Sequence, residues 1–286
     1  MRRENGFTIV ELMITLAISG FVMIAVYSAY RSQHKSYLAQ EQTVTMQENL
    51  RAGIYFLQKG LRMAGFDPGN GLDAEITAAG SNSITFTRQF TEPFRDLDNS
   101  GDQNGAETFA DYDGDGTWDS GELFTITYSL IDTDADGVND ALSSVVQGAN
   151  LRIADGIQAI GFAYAFDNNP VDGELDTDAG GNTIWAVDTN ADGILDLNLD
   201  TNGDGNIDAA DDTDGNGTIN GAALAGAPRA EDIRAVRVWL LARADREDDG
   251  FSNNTIYVVS NQVITPNDST RREMMIMDIR CRNLGL

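Results

Sequence analysis

MRRENG, residues 1–6, runs into FTIVELMITLAISGFVMIAVYSAY, residues 7–30, and this junction decides the reading of the chain. Two arginines precede an apolar run whose single formal charge is Glu11. At ~1.5 Å of rise per residue the run reaches ~36 Å as a helix, enough to cross a ~30 Å hydrocarbon core. No A-x-A-like cleavage site follows, so it does not read as an ordinary secretory signal. A carboxylate near the start of a membrane helix costs ~2.5–3.5 kcal/mol on insertion scales, so Glu11 calls for a partner. The bland alternative is a signal anchor with an incidental interfacial glutamate.

Basic leader, Gly6–Phe7 junction and an acid five residues into the apolar run together resemble the type IV prepilin signature. The resemblance implies that a prepilin peptidase cuts between Gly6 and Phe7 and that Phe7 is then N-methylated. It also implies that Glu11 pairs with the N-terminal amine of a neighbouring subunit, since opposite charges in a water-poor bundle offset each other's desolvation. Its implied partners are other minor and major pilins, the peptidase/methylase, and the inner membrane before assembly into an extracellular pilus. One departure stands out: where major pilins carry a proline deep in this helix, the chain has Ser28, leaving Gly20 as the weak point. Charge alone does not settle orientation, because Arg31 and Lys35 flank the far end of the run as Arg2 and Arg3 flank the near one. The resemblance places the bulk of the chain outside the cytoplasm.

The helix is expected to continue past the apolar run. Met46, Leu50, Ile54, Leu57 and Leu61 recur at spacings of four, four, three and four, one apolar stripe at helical period. Gly65 and Pro68 supply the stop, giving a helix over 7–64 with 7–30 as its membrane or filament-core segment. Sustained heptads for a coiled coil are missing. The string LQKGLRMAGF, residues 57–66, resembles the end of that helix in PilW-type minor pilins.

Beyond it, residues 65–286 suffice for one domain with a sizeable core. Strands are predicted at Ser83–Gln89, Leu123–Leu130, Ile157–Phe166, Ala235–Ala242, Thr255–Val259 and Glu273–Arg280 from β-branched and aromatic enrichment. Alternation such as Ile84 and Phe86 against Thr85 and Thr87 suits an antiparallel sheet with one covered face, and the helix is the natural cover. The expected class is therefore α+β, a long N-terminal helix on an antiparallel sheet. The closing RREMMIMDIRCRN, residues 271–283, resembles the last strand of PilW-type proteins.

Two inserted regions, residues 96–122 and 132–220, hold 28 of the 45 acidic residues and one basic residue, Arg152, so the net charge of −26 resides there. Such a surface is a poor match for nucleic acid, whose binding relies on phosphate neutralisation. The acids are also spaced. Asp111, Asp113, Asp115, Thr117, Asp119 and Glu122, with Gly116 at the turn, meet the ligand positions of a twelve-residue EF-hand-type calcium loop. Asp200, Asn202, Asp204, Asn206, Asp208 and Asp211 do so again, with aspartate at the twelfth position as in dockerin-like loops.

Less complete matches are Asp96, Asp98, Ser100 and Glu107, then Asp132, Asp134, Asp136 and Asp140, where Ser143 makes a poor twelfth ligand. Residues 188–223 form three consecutive twelve-residue units, DTNADGILDLNL, DTNGDGNIDAAD and DTDGNGTINGAA. The first offers Asp188, Asn190, Asp192 and Asp196 but ends in Leu199, and the third ends in Ala223. This period leaves no room for helices between loops, which excludes a paired EF-hand domain and resembles thrombospondin type 3 or dockerin repeats. The implied cofactor is Ca²⁺. The competing reading is a disordered acidic linker, which does not require glycine at position six with oxygens at one, three and five.

Other chemistry is sparse. Cys281 is the only cysteine, so no intrachain disulfide forms, and calcium would tie down the insertions in its stead. His34, the sole histidine, lies beside Arg31 and Lys35 and reads as a solvated helix residue. No Ser/His/Asp set, nucleotide loop or zinc spacing marks an enzyme. The sequence thus points to a structural minor pilin of the PilW type, acting in pilus priming or in the tip complex. Alternatives are a type II secretion pseudopilin of the J type and a calcium-dependent tip adhesin.

Overall fold

The computed structural model describes residues 8–67, 74–89, 123–146, 148–168, 171–224 and 226–284. The chain divides into two compact units, Met1–Thr45 and Met46–Leu286. One α-helix, α1, Ile9–Leu61, contributes to both. It is unbroken at Gly20 and Ser28, as expected where no proline removes a backbone donor.

In the first unit the helix begins with Thr8 and Glu11 as a reciprocal cap, and its side chains up to Tyr37 are exposed. By length and composition this stretch is able to cross a membrane.

In the second unit the predicted stripe is the buried one. Met46, Leu50, Ile54, Leu57 and Leu61 are all buried in the main core. Each such side chain contributes ~1.5–3 kcal/mol by leaving water. The helix ends in a turn at Gly65, whose φ of +73° is open to glycine, and the Gly65 N–H donates to the Thr87 carbonyl at 3.0 Å.

Thirteen strands follow in the described residues. They are β1 Ile76–Ala79, β2 Ile84–Gln89, β3 Leu123–Ile131, β4 Ala141–Val146, β5 Ala149–Asp155, β6 Ile157–Phe166, β7 Ala186–Val187, β8 Leu197–Asn198, β9 Ala222–Ala223, β10 Ile233–Glu247, β11 Tyr257–Val259, β12 Gln262–Ile264 and β13 Thr270–Arg280. They form an antiparallel sheet in the order β1-β2-β3-β4-β5, a second in the order β13-β10-β6-β7-β8-β9, and the β11-β12 hairpin. The architecture is α+β, a long helix packed on antiparallel sheets. Both larger sheets share the helix-side core, through Phe86, Ile126 and Leu142 of the first and Phe162, Tyr164, Val238 and Leu240 of the second. The Tyr128 hydroxyl donates to the Phe56 carbonyl at 3.2 Å, tying sheet to helix.

Two features differ from the sequence reading. Besides the predicted strand β6, the acidic region 132–220 contains two strands that the sequence reading did not expect, β4 Ala141–Val146 and β5 Ala149–Asp155 of the first sheet. The second sheet is also covered on both faces and not on one. Along β6, Ile160, Phe162 and Tyr164 face the helix-side core, while Ala159, Ala163 and Ala165 join a second cluster. Along β10, Val238 and Leu240 alternate with Trp239 and Leu241 in the same way. The acidic segment supplies the cover for this second face with Trp185, Val187, Leu199 and Ile219, and the hairpin adds Tyr257, Val258 and Val259.

Candidate functional sites

The first candidate is the start of α1. Thr8 is the cap residue and Glu11 stands three positions on, the spacing of a capping box. The Glu11 carboxylate accepts the Thr8 N–H and the Thr8 hydroxyl, both at 2.9 Å, and the Glu11 N–H donates to Thr8 Oγ1 at 3.3 Å. This local partner was missed in the sequence, although the string T-I-V-E signals it. Gly6 and Phe7 lie outside the described residues.

The second candidate is the set of acidic loops. Asp96, Asp98, Ser100, Glu107, Asp111, Asp113, Asp115, Thr117, Asp119 and Glu122 lie outside the described residues. The other four matches fold alike. In the loops starting at Asp132, Asp188, Asp200 and Asp212, the sixth-position glycine donates its N–H to the first aspartate at 2.8, 2.9, 2.8 and 2.9 Å. Those glycines, Gly137, Gly193, Gly205 and Gly217, have φ of 89°, 81°, 88° and 86°, a region that disfavours any residue with a Cβ. The fourth positions are also left-handed, at Ala135, Ala191, Gly203 and Gly215. The third side chain accepts the fifth N–H and the fifth accepts the seventh in all four loops, including Asn190 to Asp192 and Asp192 to Ile194.

In the first loop the ligand atoms of Asp132, Asp134 and Asp136 all lie within 4.8 Å of one another. The N–H of Gly137, with those of Ala135 and Asp134, holds the Asp132 carboxyl below the usual aspartate range. Asp132 Oδ1 accepts the N–H groups of Asp134 and Ala135 and Oδ2 that of Gly137, so Oδ2 keeps a lone pair for a cation. Carboxylate and amide oxygens of this kind are the donor set that suits a hard divalent ion.

The remaining positions do different work from one loop to the next. Thr133 donates its N–H and hydroxyl to Asp140 at 3.0 and 2.7 Å, and Thr189 does the same to Asp196 at 3.0 and 3.0 Å. In the third loop Thr201 turns instead to the twelfth residue, Asp211, at 2.7 and 3.0 Å, and Asp208 also donates its N–H to Asp211 at 2.9 Å. Asp211 is buried and acts as the clasp of its loop, whereas Asp208 and Asn206 are exposed. In the three tandem loops the eighth residue is the apolar anchor: Leu195 and Ile219 are buried, and Ile207 packs on the second core. Leu199 fills the twelfth position of its unit because the core takes it.

A further turn was not expected. Asp167, buried, accepts the N–H of Asp172 at 3.2 Å and of Gly173 at 2.9 Å, with Gly173 at φ 86°. One extra residue between aspartate and glycine hides it from a search at fixed spacing. Cys281 is buried, and burial pushes its thiol up to about 12, so little thiolate exists at neutral pH. His34 is exposed and stacks on Tyr30 at 6.0 Å between centroids.

Residues 1–27 match the family described as the prokaryotic N-terminal methylation motif. No curated protein matches the chain. Among solved structures, a type IV-like pilin from Thermus thermophilus is similar at 12% identity and a TM-score of 0.43, over 84% of this chain and 98% of that one. The N-terminal segment of the chain is thus similar to that of type IV prepilins, through a motif that covers the leader and most of the apolar run.

Proposed function

We propose that the protein is a structural subunit of a type IV pilus, a minor pilin of the PilW type that acts in assembly priming or at the tip. The observation that carries this reading is the methylation motif over residues 1–27, which overlaps the start of the 53-residue helix Ile9–Leu61. Prepilin peptidase then removes residues 1–6, the new Phe7 amine is methylated, and Glu11 meets the amine of a neighbouring subunit. The chain is anchored in the inner membrane by the 7–30 segment before assembly, with residues 65–286 outside the cytoplasm. Its role is structural and not enzymatic.

The acidic loops hold Ca²⁺ in this reading. Asp132, Asp134, Asp136 and Asp140 would form one site, supported by the clustered oxygens of the first three, and Asp200, Asn202 and Asp204 another, supported by the same turn geometry at Gly205 and Asn202. When bound, the ion would neutralise the loops and hold Leu195, Ile207 and Ile219 on the cores they cover. A deletion strain tests the assignment: loss of pili with secretion intact supports it. Loss of secreted proteins with pili intact would move the protein to the J-type pseudopilins.

A further inference from the structure

Just beyond the apolar run, α1 becomes one-sided. Tyr27, Tyr30, Arg31, His34 and Tyr37 fall within one face at ~100° per residue, with Lys35 at its border. Tyr27, Tyr30 and Tyr37 are 63%, 63% and 62% exposed. The Arg31 guanidinium sits 6.0 Å from the Tyr27 ring, and Tyr30 and His34 stack with their planes 3° apart. No acidic residue interrupts the chain between Glu11 and Glu41, so the face is cationic. Arg31 stands 22 residues from Ile9, ~33 Å along the helix, close to the ~30 Å thickness of a hydrocarbon core. With Glu11 near one boundary, this face falls at the headgroups of the opposite leaflet. Tyrosine rings favour that depth, and cations there are attracted to lipid phosphates.

We propose that the Tyr27, Tyr30, Arg31 and His34 face, continued by Lys35, docks on the phosphate headgroups of anionic lipid in the extracytoplasmic leaflet before assembly. This rests on the membrane-anchored reading of residues 7–30. It accounts for cations at the end of the span that the positive-inside bias leaves unexplained.

The test places the full chain in nanodiscs of equal parts phosphatidylglycerol and phosphatidylcholine, and measures by mass spectrometry the lipid retained on extraction. Phosphatidylglycerol is expected to be enriched. Arg31→Gln and Lys35→Gln should each cut the enrichment about fivefold, the equivalent of ~1 kcal/mol per cation at an anionic surface. Arg31→Lys keeps the charge and should keep the enrichment. Equal retention of both lipids, or an enrichment unchanged in the double glutamine variant, would overturn the proposal. So would retained enrichment with loss of binding to other pilins, which would make the face a protein contact. Failure of the chain to enter nanodiscs would overturn the membrane reading itself.

Discussion

Thr8 and Glu11 satisfy each other at the start of the long helix, carboxylate to N–H and hydroxyl at 2.9 Å each. A carboxylate that enters an apolar environment therefore brings a local donor pair with it, which lowers the cost of carrying it before a neighbouring amine arrives. On the proposed assembly role, a neighbour's amine would have to exchange with that partner.

Glu11→Val removes the carboxylate, so membrane insertion should be unharmed or improved. Co-purification with other pilins should fall, because the neighbour's amine loses its partner. Membrane fractionation followed by pull-down checks both, and normal co-purification would argue against an assembly role.

Leu57→Ala should destabilise the second unit by ~2–5 kcal/mol, because Leu57 is fully buried among both sheets and the space cannot close without moving strands. Urea titration of the protein lacking its membrane segment measures this. A loss within ~0.5 kcal/mol would mean that the helix does not seal this core.

Asp268 holds the nearly buried Arg272 with two hydrogen bonds of 2.7 Å, and Arg272 also donates to Gln158 at 2.6 Å. The Arg272 guanidinium keeps the Asp268 carboxyl below its ordinary value of 3.8. A depressed folded-state pKa contributes stability that is present above the unfolded value and lost as pH falls through the folded one. Asp268→Asn should cost about 1–3 kcal/mol at pH 7. The gap from the parent should narrow as pH falls below 3.8 and through the depressed folded-state value, where the folded carboxyl also becomes neutral. Melts at pH 7 and pH 3 give the comparison, and a gap that widens at low pH would refute it.

Several elements were legible in the sequence for plain physical reasons. The Met46–Leu61 stripe is buried at each predicted position, and Ile157–Phe166 is a strand with the predicted bounds, because long periodic or β-branched runs leave little choice. Strands β4 and β5 were missed, since ALSSVV and ANLRIAD lie among aspartates and glycines and gain their pairing from β3 and from each other. The second covered face was missed for a related reason. Small residues such as Ala159, Ala163 and Ala165 signal close packing only once Trp185 and Trp239 are seen against them. The turn that joins the first aspartate to the sixth-position glycine was legible from spacing, because only glycine suits that φ. The use of Asp211 as the clasp of its loop was not, because it depends on Thr201 finding it across the loop.

Calcium should stabilise the second unit. Sites of ~10⁻⁴–10⁻³ M affinity in a millimolar environment contribute ~0.4–1.4 kcal/mol each. Several together would raise the melting temperature by a few degrees. Asp134→Ala and Asp204→Ala should each remove part of the rise, and Asp214→Ala less, since its unit ends in Ala223. Calorimetric titration and melts with chelator measure it. No heat of binding and an unchanged melt at several millimolar calcium would reduce the loops to a packed acidic cover.

The most direct test of the whole account is the intact mass of the protein isolated from its native membrane. The account predicts a chain that begins at Phe7 and carries one added methyl group, and an uncut precursor when Gly6 is replaced by a bulky residue. A native protein that retains residues 1–6 would contradict it.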